Sequence, residues 1–288
     1  MTNTEKTLST ASTDIHHITA ACTNVIKTDW QSGIVAGVYN SCFNILTDER
    51  YLITVFKSTD KFSTRAMISD VCSDMNIFSA ANGTRVCYKE GAIIVGGHIF
   101  LINSPKIIPV YRDTINQSEN VEKNMNYFEF LMTLNAKKSP FFEDGFFKSK
   151  AQKGFNTLKK DIIKGLDMLL GLGIGLTPSC DDIIGGMAAY FHLSGKGDVF
   201  NCKLKQFLAE KGEYVTTCVS KNLLEDVSCG YINQTLYNLI YAIMCKSDDI
   251  EKHTIEMINY GSTSGTETCL GILNAYKLIS GKENVNWL

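Results

Sequence analysis

GIVAGVYNSCFNIL at residues 33 to 46, with YLITVF at 51–56 and GAIIVGGHIFLI at 91–102, decides the fold of the first half. These runs are rich in β-branched and aromatic residues, and Asp-Glu, Asn-Gly and Lys-Glu-Gly interrupt them, which is how strands and turns alternate. Asp48-Glu49 and Lys89-Glu90-Gly91 read as hairpin turns. Two hairpins imply a mainly antiparallel, β-rich region, with a helix expected at 64–75 and a shorter one near 25–30.

The texture changes after a polar stretch at 111–124 that contains Asn116, Gln117, Ser118, Glu119 and Asn120. Apolar residues then recur at three- and four-residue steps: Phe155, Leu158, Ile162, Leu166, Leu169 and Leu170. That period belongs to amphipathic helices. Further helices are expected over 127–135, 178–193, 202–210, 214–228, 231–244, 249–260 and 265–280. The expected fold class is α+β: a β-rich antiparallel N-terminal domain, residues 1–115, packed on a mainly helical C-terminal domain, residues 116–288.

Composition narrows the function classes. With 28 Lys and Arg against 30 Asp and Glu, the formal charge is -2, so no long-range field draws the chain to nucleic acid or anionic lipid. Its most apolar stretches, 92–102 and 168–176, are about half the ~20 residues of a membrane span. The N-terminus lacks the basic start and apolar middle of a secretion signal, so a cytoplasmic location is expected. Ten cysteines never form a C-x-x-C pair, which disfavours a zinc ribbon and suits small core residues.

The strongest local feature is GLGIGLTPSCDDIIGG, residues 171 to 186. Gly171, Gly173 and Gly175 permit unusual backbone angles, and Thr177-Pro178 reads as an N-cap and first helical residue. A helix start behind flexible glycines presents N–H donors, including those around Ser179, and a partial positive charge to an anion. Asp181 and Asp182 fall in the first turn, where they serve either the helix dipole or a ligand. They point about 100° apart, so at most one faces a site. No Gly-Lys-Thr/Ser follows and no strand precedes, so neither a phosphate-binding P-loop nor a dinucleotide fingerprint is present. Gly185 and Gly186 inside the helix point to tight packing.

GSTSGTETCLG at 261–271 aligns with GLTPSCDDIIG at 175–185, with Gly, Thr, an acid and Gly in register. Ser264 and Glu267 have the spacing of a capping box, and Ser262, Ser264 and Gly265 are candidate ligand contacts. Two readings stand: separate helix boundaries, or two helix N-termini converging on one small anionic guest. TTCVSKNLL at 216–224 adds Ser220 and Lys221 as candidates. All four arginines lie in the first half, and Arg85 is the best placed for a carboxylate clamp.

The string GLGIGLTPSCDD, followed by TTCVSKNLL and GSTSGTETCLGIL, resembles the AllH family of oxamate carbamoyltransferase subunits in allantoin and purine catabolism. GIVAGVYNSCFNIL is also similar to that family's N-terminal strands. The family pattern is close to G-x-G-x-G-L-T-P-S-G-D-D; Cys180 replaces a glycine and Ile174 a common proline. The resemblance implies carbamoyl transfer between carbamoyl phosphate and oxamate, with oxalurate as the other species, in a hetero-oligomer with other carbamoyltransferase subunits. It implies roles for Thr177, Ser179 and the acid pair, with Asp181 or Asp182 as proton acceptor or orienting group. No cofactor is expected, and Mg2+ on the acid pair is the lesser alternative. A noncatalytic anion-binding or assembly subunit is the competing expectation. Metal-dependent hydrolysis ranks third, because no His or third acid stands nearby in sequence.

Overall fold

The computed structural model describes residues 14–21, 26, 29–57, 63–73, 75, 81–139, 143 and 145–281. The chain divides into two compact units, residues 1–108 and 109–288. The first contains nine described strands: β1 (Asp14–Ala21), β2 (Ser32–Val38), β3 (Cys42–Thr47), β4 (Leu52–Phe56), β5 (Ala66–Ser69), β6 (Arg85–Lys89), β7 (Ala92–Val95), β8 (His98–Leu101) and β9 (Lys106–Ile107). Their order is β5-β4-β3-β2-β6-β7-β8-β1-β9, and a further β1–β5 pairing closes eight of them into a ring. Closure removes most of the exposed edge.

Both expected hairpin turns form, at the ends of β3 and β6. At the second, Glu90 and Gly91 have φ 50° and 76°, the left-handed pair that suits strand twist. Two long apolar runs prove to be two strands each. GIVAGVYNSCFNIL folds back between β2 and β3, and GAIIVGGHIFLI turns at Gly96-Gly97, with φ 55° and 85°. The helix expected at 64–75 is replaced, where described, by a turn at Thr64–Arg65 and strand β5. All four β5 residues are buried, and the strand is paired with both β4 and β1. Pairing between distant segments outweighs the local preference there. Parallel pairing of β1 with β8 and β9, and of β4 with β5, adds to the antiparallel majority. Of the helix expected near 25–30, residues 25, 27 and 28 lie outside the described residues; Ile26, Asp29 and Trp30 are not helical.

The second unit is helical: α1 (Val121–Asn135), α2 (Gly145–Leu158), α3 (Ile162–Leu169), α4 (Ser179–Leu193), α5 (Asp198–Val215), α6 (Cys218–Ser228), α7 (Gln234–Cys245), α8 (Ile250–Ile258) and α9 (Ser264–Ile279). Side-chain caps set several starts. Asp161, Thr217 and Asn233 each accept a hydrogen bond from a first-turn amide. Asp161 thereby divides the apolar run at 155–170 into α2 and α3. Helix α4 is buried on nearly every side, through Ile183, Ile184, Met187, Ala188, Tyr190 and Leu193. A helix apolar all round belongs at the centre of its unit.

Candidate functional site

The first glycine loop is held by Asp181. Its Oδ1 accepts from Gly171 N at 2.7 Å, and its Oδ2 accepts from the hydroxyls of Ser220, at 2.6 Å, and Thr216. A second stitch runs through Thr217, whose hydroxyl donates to the Leu176 carbonyl and accepts from Ser220 N at 3.0 Å. The loop before α4 is therefore fastened to the turn between α5 and α6. Glycine is required at two places in it. A Cβ on Gly171, φ 80°, would lie 1.8 Å from the Val215 carbonyl oxygen, and one on Gly173, φ 151°, would lie 2.1 Å from Ser179 N. Asp181 is 1% exposed. Burial raises its carboxyl above the ordinary range, against the pull of its three hydrogen-bond donors.

The amides expected to face a ligand around Ser179 to Asp181 are mostly used within the loop. Cys180 N donates to the Leu172 carbonyl at 3.0 Å, and Asp181 N donates to Pro178 O at 2.8 Å. Helix α4 starts at Ser179 behind Pro178, and the Thr177 side chain does not cap it. This corrects the expected Thr177-Pro178 start: the hydroxyl is drawn across to the second loop instead.

Thr177 Oγ1 lies 3.0 Å from Ser264 Oγ, so the two glycine-rich helix starts meet. The packing of α4 on α9 explains why. A Cβ on Gly186 would lie 2.1 Å from Thr268 O, and one on Gly271 would lie 2.1 Å from Ile183 O. Helix backbones therefore touch where those residues cross. The Tyr190 and Tyr276 rings meet edge to face further along, so the helices run side by side in one direction and their N-termini coincide. Gly185 is different, since a Cβ there meets only Leu224 Cδ2 at 3.7 Å.

Asp182 occupies the junction. The Ser264 and Thr177 hydroxyls are its hydrogen-bonding neighbours, while Glu267 and Asp181 act on it as like charges. Burial, foremost, and these two charges hold its carboxyl well above the usual carboxylate range. Glu267, 1% exposed, accepts among the described residues a single long 3.4 Å hydrogen bond, from Thr263 at Oε2. The capping box expected from Ser264 and Glu267 is absent, because α9 begins at Ser264 and that hydroxyl faces Thr177.

The remaining candidates scatter. Ser179 is buried at the start of α4, Gly175 and Ser262 are exposed, and Gly265 N is occupied by the Tyr260 carbonyl at 3.0 Å. Ser220 is committed to Asp181. Lys221, its side chain 13% exposed, pairs with Glu225 at 2.6 Å and Glu213 at 3.3 Å, so its charge is already answered within α5 and α6. Arg85 lies exposed on β6 of the first unit, opposite Ile34. Among the described residues no group of three His, Cys, Asp or Glu side chains is placed to hold a metal. Sequence reasoning missed Glu267 as a member of the site and Thr216 as a partner of Asp181. The available signal for Glu267 was its alignment with Asp181 in the repeated Gly-Thr-acid-Gly pattern.

Residues 169–276 match the family model described as oxamate carbamoyltransferase subunit AllH. The match contains both glycine loops, Asp181, Asp182 and Glu267, and leaves the strands of the first unit outside. No solved structure matches the chain. No helix among the described residues is long and apolar enough to cross a membrane.

Proposed function

We propose that this chain is a subunit of a carbamoyltransferase that moves a carbamoyl group between carbamoyl phosphate and oxamate, working with other subunits of the complex. In the catabolic direction, a phosphate oxygen attacks the carbamoyl carbon of oxalurate. The bond to the amide nitrogen breaks, and that nitrogen takes up the proton given up by the attacking hydrogen phosphate, so oxamate leaves with a neutral amide. The observation that carries this reading is the Thr177–Ser264 contact at Asp182, inside the segment that matches the family model.

The reaction needs donors at the carbonyl oxygen as it gains charge and a fixed orientation for the amide. In this reading Thr177, Ser264 and the backbone of Gly173 and Gly175 meet the anionic oxygens, with Ser179 beneath them. Asp182 orients the N–H groups of the guest. Asp181 and Ser220 act at one remove by holding the loop, and Lys221 braces α6.

A second reading, a noncatalytic anion-binding or assembly subunit, draws on the commitment of Asp181. With both oxygens engaged in the loop, that acid is not available as a base. Reconstitution with the companion subunits separates the two readings by phosphate-dependent cleavage of oxalurate. If the transfer reading holds, Asp182→Asn lowers kcat by ~100-fold or more while the complex still assembles. Unchanged turnover in that variant rejects the role of Asp182 and favours the noncatalytic subunit.

A further inference from the structure

Asp182 Oδ2 and Glu267 Oε1 are both buried, and among the described residues neither has a hydrogen-bond partner. They belong to the adjoining N-terminal ends of α4 and α9, and the charged groups that act on Asp182 are both acids, Glu267 and Asp181. Two such charges without compensation are costly in a protein interior. A proton shared by the two acids removes only one of the two charges and leaves the other buried without a counter-charge. A cation between the two oxygens satisfies both. The helix ends oppose it with only about half an elementary charge each, against two full negative charges.

The hydrogen-bonding side chains beside the two acids are hydroxyls, Thr177 and Ser264 at Asp182 and Thr263 on Glu267, while the buried Cys180 thiol also lies within electrostatic reach of Glu267. Oxygen ligands select hard cations. Two carboxylates are too few for a closed calcium cage but suit Mg2+, which keeps several waters and shares its remaining positions with phosphate. Asp181 is not a ligand, since both its oxygens are engaged elsewhere.

We infer that Asp182 Oδ2 and Glu267 Oε1 form a site for a divalent cation of the magnesium class between the N-termini of α4 and α9. Its use with an anionic guest rests on the carbamoyl-transfer reading, because a cation there lets phosphate or a carboxylate sit beside two acids; the site itself rests on the two oxygens alone.

The test is binding of Mg2+ by calorimetry, and of Mn2+ by electron paramagnetic resonance, to the full metal-free chain without substrate. One ion per chain is expected, with affinity weakened at least ~10- to 100-fold by Asp182→Asn and by Glu267→Gln. Asp167→Asn, a half-exposed acid paired with Lys211, leaves it unchanged. Should a variant fail to fold, the wild-type chain still reports. Fe2+ placed at the site and exposed to peroxide cuts the backbone near residues 177–182 and 264–267. No bound ion at millimolar concentration, affinity indifferent to both substitutions, or cutting only elsewhere overturns the inference. A complex that binds Mn2+ at these acids yet fails to cleave oxalurate supports the site and rejects the carbamoyl-transfer reading.

Discussion

Asp181 and Glu267 hold equivalent places in the two glycine-rich helix starts, yet their surroundings are opposite. Asp181 receives three hydrogen bonds, from Gly171, Thr216 and Ser220. Glu267 receives one long bond from Thr263, and its Oε1 meets no partner among the described residues. The loop before α4 curls against the turn between α5 and α6, which supplies donors. Before α9 there is only the short turn at Gly261–Thr263, and Gly265 is flush against the Met257 carbonyl, where a Cβ would lie 1.8 Å from that oxygen. A repeated sequence pattern has thus produced a structural clasp at one helix and a weakly bonded buried acid at the other. Asp182, between them, is the member of the acid pair whose hydrogen-bonding neighbours, Thr177 and Ser264, come from both loops.

The contrast breaks most visibly at the clasp. Asp181→Ala strands an amide and two hydroxyls in the interior and is expected to cost roughly 3 kcal/mol or more in denaturant unfolding. Glu267→Ala, removing an unsatisfied charge from the metal-free chain, should cost less. Equal losses would show that the two acids are not distinct. The helix contact comes next. Gly186→Ala and Gly271→Ala each press a methyl into a carbonyl of the neighbouring helix and should destabilise by about 1–3 kcal/mol. Gly185→Ala meets only a Leu224 methyl and should stabilise by up to about 1 kcal/mol through helix propensity. The same sign at Gly185 and Gly186 would contradict the close crossing.

Much of this architecture is written locally in the sequence. The change from strand to helix texture and all the expected helices of the second half follow from periodicity and glycine placement, whereas the aligned motifs leave the meeting of the two loops as one of two readings until Thr177 is seen beside Ser264. What escapes is decided by distant partners. Strand β5 reads as helix until β1 and β4 close around it. Gly96-Gly97 hides a turn inside an apolar run, because glycine pairs carry no apolar or polar mark of their own. Ser264 reads as half of a capping box, since Thr177 lies 87 residues away. The importance of Glu267 likewise depends on Asp182, which lies across the helix contact.

The central claim, that both loops build one site, is tested most directly by a double-mutant cycle on oxamate affinity. The proteins compared are wild type, Thr177→Val, Ser264→Ala and the double variant, in the assembled complex. Each single change should weaken binding by about tenfold, and the pair should lose clearly less than the product of the two, because the hydroxyls act as one hydrogen-bonded unit. Fully multiplicative losses, or affinity untouched by both substitutions, would contradict a shared site.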